Sequence, residues 1–492
     1  MGPVVSEARH ALGSRNPGTP LDALASNSFC RVADAQQFDG NAVRLLCDGG
    51  ENYPAWLAAI ARARHNVNLE NYLFWDDEIG RAFSDALADA ARRGVACRVI
   101  YDWLGCVGKT SGRFWRKMRA AGVEVRCYNP PRIDNPLMWV SRDHRKVLCV
   151  DNQLAFTGGL CIGSNWIGHP DRGIPAWRDT AMEIRGPAAA HLSQAFADSW
   201  LSAGSALPAN ELTPPEETAA QGDVRLWVVA GHPDSMGLYR LEQLVAEIVE
   251  RSLWLADAYF VATTAYVRAL TTAAQAGVDV RLLVPSSGDV PLVGAISRSA
   301  YRPLLEGGVR IFEWNGPMMH AKTAVADGCW SRVGSSNSNF ASWITNRELD
   351  ITVHDRSLAA DMEALYLRDL DNTTEVVLRH GRPRPTPQPG SHEARYLGKR
   401  AGTASRLLAG VIGFGGTVGA TLARHRVLGA SEVRNIAFAG IGLLLFAAAA
   451  LTRPWLIAYP LGAIAVWVAT SLLVGACRLH FEKPPNDKPE HK

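Results

Sequence analysis

The 492-residue sequence has no Cys-x-x-Cys pair, which argues against a structural zinc site. Its nine cysteines are odd in number and lie mostly in apolar runs such as VACRVIYD, which predicts reduced core thiols in a cytosolic compartment. Residues 1–27 contain no apolar core segment, so no cleavable signal peptide is predicted, and residues 1–38 are interpreted as a disordered leader. The net charge is only +3, so overall charge does not require a nucleic-acid partner.

Apolar residues make up 47% of the sequence, enough for two domains and a further segment. From Val43 onwards, apolar strands alternate with amphipathic helices, as in VNLENYLFW, EIGRAFSDALADAARR and ACRVIYD. Glycines at 94, 122 and 277 stand where three of these helices are predicted to end. The alternation predicts an α/β fold with a largely parallel sheet and helices on both faces.

The same order of elements occurs twice. ARRGVACRVIYD in the first half matches AAQAGVDVRLLV in the second, which indicates an internal duplication. The run LPANELTPPEETAAQGD between the halves is typical of a linker. We therefore predict a first domain at 39–206, a linker at 207–222 and a second domain at 223–378.

The composition changes after the second domain. Residues 379–403 are rich in Arg and Pro and are predicted to form a basic connector, either lying on anionic headgroups or serving as a solvated linker. Apolar stretches follow at 407–423, 436–451 and 455–477. They predict a C-terminal transmembrane helical segment at 404–477, with two or three spans and a polar tail at 478–492; the alternative is a buried helical hairpin. Basic residues flank the last two stretches, so the positive-inside rule places both their ends in the cytoplasm.

One short pattern is repeated with identical spacing in the two halves. DHRKVLCVDNQLAFTGG and MHAKTAVADGCWSRVG each place His, Lys, Asp and Gly at the same intervals. The positions are His144, Lys146, Asp151 and Gly158, then His320, Lys322, Asp327 and Gly334. Residues two apart in a strand point to the same face, so each His and Lys can approach one ligand. Two His and two Lys converging in this way suit a phosphodiester.

Glycines after the second strand of each copy would let backbone N–H groups approach an anion. The predicted phosphate-binding set is Gly158, Gly159, Asn165, Gly334, Ser335 and Asn337. A His/Asp metal cluster is the competing interpretation, but two lysines are poor neighbours for a cation. We therefore predict no metal and no cofactor.

The duplicated pattern HxKxxxxDxxxxxxG resembles the phospholipase D superfamily. The segments GNAVRLLCDGGENYPAWLAAI, NLENYLFWDDEIGRAFSDALADAARRGV and WRDTAMEIRGPA resemble bacterial cardiolipin synthases, and the likeness covers about residues 39–372. It implies two duplicated phospholipase D-like α-β-α sandwich domains with a pseudo-twofold active site. It also implies a two-step reaction through a phosphohistidine.

The chemistry of such a reaction can be argued from the residue types. A neutral imidazole attacks phosphorus, while a protonated imidazole from the other copy donates to the departing alkoxide and later deprotonates the incoming alcohol or water. Lys146 and Lys322 would stabilise charge on the phosphate oxygens. The resemblance favours His144 as nucleophile and His320 as acid and base; symmetry of the motifs alone leaves this open.

Each histidine also needs a carboxylate to orient its ring. We predict Glu348, in NRELDITV, as the partner of His320, and Asp179, in WRDTAMEI, as the partner of His144. Supporting roles are assigned to Asp151 and Asp327. In the first copy Cys161 takes the position where cardiolipin synthases usually have Asn, with Asn165 or Ser164 as possible substitutes.

These features together predict a phosphatidyl transferase that makes cardiolipin from phosphatidylglycerol and a second phospholipid. It is expected in a bacterial-type inner membrane, with the catalytic domains facing the cytoplasm. The alternatives are a phospholipase D-type hydrolase or phosphodiesterase/nuclease of the same superfamily, and a non-catalytic scaffold binding anionic lipids. No nucleic-acid partner is expected, because the catalytic region lacks a basic aromatic groove; the oligomeric state is left open.

Overall fold

The computed structural model describes residues 28–131, 141–233, 235–379 and 382–387, together with Leu21 and isolated helical positions between 452 and 470. The strands and helices named below lie in one compact unit drawn from residues 1–128 and 141–425. A second unit, residues 129–140 and 426–492, contains few described positions.

The first repeat contains seven described strands and the helices between them. In chain order they are α1 (Ser28–Ala33), β1 (Gln36–Cys47), α2 (Asp48–Arg62), β2 (Asn66–Asn71), α3 (Glu78–Arg92), β3 (Ala96–Asp102), α4 (Trp103–Cys106), α5 (Gly112–Ala120), β4 (Glu124–Tyr128), β5 (Lys146–Val150), β6 (Leu154–Gly158), β7 (Thr180–Arg185) and α6 (Pro187–Ser202). Short 3₁₀ turns at Ser164–Trp166 and Pro170–Arg172 lie between β6 and β7.

The second repeat follows the same order after 3₁₀ turns at Ala209–Glu211 and Pro215–Glu217. Its elements are β8 (Val224–Gly231), α7 (Gly237–Ile248), β9 (Ser252–Ala256), α8 (Thr264–Gln275), β10 (Asp279–Pro285), α9 (Pro291–Ser299), α10 (Tyr301–Glu306), β11 (Arg310–Trp314), β12 (Thr323–Ala326), β13 (Trp330–Gly334), β14 (Glu348–His354), α11 (Arg356–Leu370), β15 (Thr373–Arg379) and β16 (Arg382–Pro387). A π-helical turn, Ala341–Thr345, lies between β13 and β14. The predicted duplicated α/β fold is confirmed.

The described strands form one sixteen-stranded sheet, ordered β16-β15-β11-β10-β9-β12-β13-β14-β8-β1-β7-β6-β5-β2-β3-β4. The order reads alike outwards from the β1/β8 pair, so the two repeats are related by a pseudo-twofold axis there. Among these strands, parallel pairing is confined to β2/β3, β3/β4, β9/β10 and β10/β11. The prediction of a largely parallel sheet is therefore wrong. The short connections between β5 and β6 and between β12 and β13 contain no crossover helix, so those strands run antiparallel.

Helix ends follow the local sequence. Asp77 caps α3 by accepting the N–H of Gly80, and Thr263 caps α8 by accepting that of Tyr266. Gly94 and Gly277, which follow these two helices, have φ of 89° and 98°. This left-handed conformation costs glycine little, so the predicted ends of both helices are confirmed.

Apolar cores lie on both faces of the sheet. In β5, Leu148 and Val150 face a core shared with α2 and α3, whereas Val147 and Cys149 face a core that includes residues of α6. This second core also contains apolar residues of β8, β13, β14 and α11, so it joins the two repeats. The joint core fixes the ends of β5 and β12 relative to each other.

Two predicted boundaries are corrected. Residues 28–38 belong to α1 and β1 rather than to a disordered leader, because Ala33 and Ala35 are buried in the core of the second repeat. The rest of the leader, apart from Leu21, lies outside the described residues. The predicted connector also begins as a strand, since β16 pairs antiparallel with β15.

The apolar stretches at 407–423 and 436–451 lie outside the described residues, as does most of 455–477. Within the described part of the chain, no helix is long and apolar enough to cross a bilayer.

Candidate active site

His144 and His320 lie just before the first residues of β5 and β12. At this end of the strands, β2 and β9 finish, and Lys146 of β5 pairs with Asn71, the last residue of β2. His144 precedes Lys146 by two residues. In each copy the lysine Nζ donates back to the carbonyl of its own histidine. All four side chains are buried or nearly so, with His144 9% and His320 4% exposed. The repeated His and Lys are thus brought into one enclosed site.

Backbone bridges cross between the repeats at each histidine. The N–H of His144 donates to the carbonyl of Arg347 at 2.9 Å, and the N–H of His320 donates to that of Arg178 at 2.7 Å. Each arginine directly precedes the carboxylate that the sequence identified. Each histidine therefore faces the acidic residue of the other repeat.

The carboxylate partners are consequently the reverse of the predicted ones. Glu348 Oε2 lies 2.9 Å from His144 Nδ1, and Asp179 Oδ2 lies 2.7 Å from His320 Nδ1. The predicted pairs, Glu348 with His320 and Asp179 with His144, are wrong. The prediction kept each acid within or near its own motif, whereas the bridges that hold the histidines cross the pseudo-twofold axis.

The electrostatics favour two neutral imidazoles before substrate binds. Burial lowers the pKa of His144, and burial with the nearby Lys322 lowers that of His320 to about 3. Although burial alone would raise their pKa values, Asp179 and Glu348 have lowered pKa values because each faces a histidine and a lysine. An ionised carboxylate at Nδ1 holds the ring proton there, so Nε2 of each ring carries a lone pair.

The surroundings of the two histidines differ. Asp179 also accepts a hydrogen bond from Trp166 Nε1 at 2.8 Å. The centre of the His320 ring lies 5.3 Å from that of Trp166 and 5.7 Å from that of Trp177. Glu348 instead accepts Ser335 Oγ at 2.6 Å. Sequence reasoning did not select the two tryptophans, although Trp177 stands two residues before Asp179 in the segment WRD.

Tyrosines accompany both lysines and were also not predicted. Lys146 Nζ lies 5.3 Å from the centre of the Tyr72 ring, and Lys322 Nζ lies 5.8 Å from that of Tyr259. Burial lowers the pKa of Lys322 to about 8. Two buried lysines beside the two histidines are well suited to an anionic substrate.

The predicted phosphate-binding residues have several different roles. Gly159 and Gly334 lie against Asp179 and Asp350, leaving no room for a Cβ. Ser335 is already bonded to Glu348, whereas Asn337 is 4% exposed and its Oδ1 has no partner among the described residues. The remaining members are Gly158, which lies against the backbone of Ala181, and Asn165, whose carbonyl accepts the N–H of Trp177.

The cysteine that replaces the expected asparagine is buried in the same region. Cys161 is 1% exposed, and burial raises the pKa of its thiol, against the opposing effect of Lys146. Ser164, one predicted substitute, donates its N–H to Asp77. Within the described ranges, no group of three or more His, Cys, Asp or Glu side chains could hold a metal ion.

The aspartates of the motif serve the turns at the far ends of β5 and β12. Asp151 accepts the backbone N–H groups of residues 64–66, and Asp327 accepts those of residues 250–252. Both adopt left-handed backbone conformations, with φ of 53° and 51°. Both aspartates thus brace the turns that support the strands carrying His144 and His320, the supporting role that the sequence predicted.

Replacing Asp151 or Asp327 with Asn should therefore reduce stability rather than chemistry. Asn tolerates the left-handed conformation but removes the charge that accepts three N–H groups, so we expect a loss of about 2–4 kcal/mol in the free energy of unfolding. Denaturant unfolding and the turnover of folded enzyme measure the two effects. A variant of unchanged stability with at least tenfold lower kcat would contradict this role.

Replacing Gly159 with Ala should lower activity through Asp179. A Cβ at position 159 would lie 2.1 Å from Asp179 Oδ1, so the carboxylate must move away from His320. Because a displacement of about 1 Å can cost 10²-fold in rate, we expect a loss of that order in kcat. Gly50→Ala is the matched control, since nothing lies within 4 Å of its added Cβ. Equal activities of the two variants would exclude the steric argument.

Comparison with known proteins places this geometry in a family. The family model "Cardiolipin synthase, PLD-like domain" matches residues 56–200 and 244–370. A cardiolipin synthase of Geobacillus kaustophilus is 33% identical over 351 residues, covering 69% of this chain and 68% of that protein. One from Alkalihalophilus pseudofirmus is 31% identical over 337 residues, covering 68% and 67%. The fold is similar to that of a phosphatidylserine synthase from Haemophilus influenzae, with a TM-score of 0.57, 15% identity and coverage of 72% and 93%. This chain belongs to the cardiolipin synthase family of phospholipase D-like proteins.

Proposed function

We propose that this protein transfers a phosphatidyl group from phosphatidylglycerol to a second phospholipid, producing cardiolipin and a small alcohol. The observation that carries the proposal is the pair of buried histidines, each bonded at Nδ1 to a carboxylate of the opposite repeat. Such a pair supplies one nucleophile and one proton carrier at a single phosphate. The family relationship supports a phospholipid as the substrate.

In the first step, Nε2 of His144 attacks phosphorus and forms an N–P bond. The P–O bond to the leaving glycerol breaks, and His320 donates the proton that this alkoxide oxygen needs. His320 acquires its proton as the anionic phosphodiester binds, because a nearby negative charge raises the pKa of an imidazole. Lys146 and Lys322 stabilise the charge on the non-bridging oxygens.

In the second step, neutral His320 takes the proton of the incoming hydroxyl group. The hydroxyl oxygen attacks phosphorus, the N–P bond breaks, and His144 leaves as a neutral imidazole. One ester bond replaces another, so the reaction requires no external energy source.

A product assay tests this proposal. The purified full-length protein, supplied with phosphatidylglycerol labelled in its headgroup and acyl chains, should release labelled glycerol and form cardiolipin. Phosphatidic acid as the product without cardiolipin would identify a hydrolase and overturn the transfer proposal. Binding of phosphatidylglycerol without any product would overturn catalysis and favour a lipid-binding scaffold.

The apolar segment at 404–477 would hold the catalytic domains at a cytoplasmic membrane face, where both lipids reside. We propose that the basic connector assists by lying on anionic headgroups. Replacing Arg379, Arg382, Arg384 and Arg400 with Gln should weaken binding to vesicles containing phosphatidylglycerol, by about 1 kcal/mol for each arginine near the surface. Sedimentation with vesicles measures this, and unchanged binding would leave the connector as a linker only.

A further inference from the structure

Three charged side chains are buried together behind the phosphate-binding loop of the second repeat. They are Glu242 of α7, Arg332 of β13 and Asp350 of β14, here called the ionic cluster. Arg332 Nη1 lies 2.5 Å from Glu242 Oε1 and 3.9 Å from Asp350 Oδ1, and the three side chains are at most 4% exposed. Burying charged side chains costs free energy unless they are paired and hydrogen-bonded, so we expect the ionic cluster to serve a function.

The ionic cluster is bonded to the loop that follows β13. Ser336 Oγ donates to Asp350, and Ser338 Oγ donates to Glu242 at 3.1 Å. Asn337 stands between these two serines, almost fully buried, and its Oδ1 has no partner among the described residues. The backbone N–H of Asn337 donates to Ser342 Oγ at 3.2 Å, so the loop is held at Asn337 as well as at the two serines.

The first repeat has no such cluster at the corresponding positions. Gly158 pairs with Ala181 as Gly334 pairs with Asp350, so Phe156 corresponds to Arg332 and Ala181 to Asp350. Trp56 lies eleven residues before Val67 of β2, as Glu242 does before Leu253 of β9, so these two also correspond. Trp56 and Phe156 contact each other, with ring centres 6.0 Å apart. Leu160, Cys161 and Ile162 replace the residues 336–338.

We propose that the ionic cluster positions the loop 335–338 so that the side-chain Nδ2 of Asn337 donates to an oxygen of the bound phosphate. The second repeat then supplies the polar half of the phosphate site, and the first repeat supplies an apolar half at Cys161. Glu242, Arg332 and Asp350 are positioning residues, because they act through Ser336 and Ser338. The inference rests on the proposed function for the identity of the phosphate-bearing substrate.

The double variant Ser336→Ala/Ser338→Ala tests the connection while leaving all three charges in place. We expect the Kd for inorganic phosphate, measured by calorimetry on the full-length protein, to rise at least tenfold. KM for phosphatidylglycerol should rise with it. Ser331→Ala is the matched control, since this buried serine of β13 has no hydrogen-bond partner for its hydroxyl among the described residues. Wild-type values of both constants in the double variant would overturn the proposal.

A second variant tests whether uncharged side chains packed in the place of the ionic cluster support phosphate binding equally well. Glu242→Trp/Arg332→Phe/Asp350→Ala installs the side chains that the first repeat uses at these positions. Loss of phosphate binding in a folded protein, judged by circular dichroism and thermal unfolding, supports positioning; full retention of phosphate binding and activity overturns it. If the triple variant does not fold, the Ser336→Ala/Ser338→Ala variant provides the test.

Phosphate binding also separates this inference from the proposed function. A wild-type protein that makes no cardiolipin, yet binds phosphate and loses that binding in the serine variant, would refute the function and support the positioning role. If the wild-type protein makes cardiolipin and the serine variant has an unchanged Kd for phosphate and an unchanged KM, the proposed function is supported and the positioning role is refuted.

Discussion

Alanine at either His144 or His320 should reduce cardiolipin formation by about 10⁴-fold or more, because one nucleophile and one proton carrier act as a unit. Both rings are buried and each replacement leaves a cavity, so the fold must be checked by circular dichroism. Transfer of labelled phosphatidylglycerol measures the rate. His65→Ala is the control, since this histidine is exposed at the surface. A His320→Ala enzyme with more than about one-tenth of the wild-type rate would contradict the paired mechanism.

A substrate with a better leaving group should separate the roles of the two histidines. A phosphatidyl ester of p-nitrophenol needs no proton on its departing oxygen, so loss of the general acid affects its first step little. If His144 is the nucleophile, His320→Ala should release a burst of p-nitrophenolate and accumulate a phosphohistidine. His144→Ala should give neither. The opposite pattern would assign the nucleophile to His320.

Asp179→Asn and Glu348→Gln should each lower kcat by about 10² to 10⁴-fold with little change in KM. An amide at this place can bond to Nδ1 through either its N–H or its oxygen, so the proton is no longer held there and Nε2 loses its defined role. Asp179 also opposes the effect of burial on the pKa of His320. Removing its charge should therefore lower that pKa further and make protonation on substrate binding harder.

Because each carboxylate is bonded to the histidine of the other repeat, the two variants should affect different histidines. In spectra of the ¹⁵N-labelled imidazoles, Asp179→Asn should change the signals of His320 and leave those of His144 nearly unchanged, and Glu348→Gln should do the reverse. Changes confined to the histidine of the same repeat as the mutated acid would overturn the crossed arrangement. Asp350→Asn is a useful comparison, since Asp350 lies near the site but contacts neither histidine ring in the described structure.

Much of the candidate site was readable from the sequence because it depends on spacing along one strand. His144 and Lys146, like His320 and Lys322, are two residues apart, and an extended backbone alone puts them on one face. Glycines 94 and 277 mark helix ends for an equally local reason, their left-handed backbone. The duplication followed from comparing the two halves directly.

The tertiary structure decided what joins one repeat to the other. His320 and Asp179 are 141 residues apart, and His144 and Glu348 are 204 apart, so no local pattern reveals that each pair is in contact. The same holds for Asp151, whose acceptor role depends on a turn at residues 64–66. Spacing along the chain determined which side chains share one face of a strand. The joint core and the backbone bridges across the pseudo-twofold axis determined which of them act on each other.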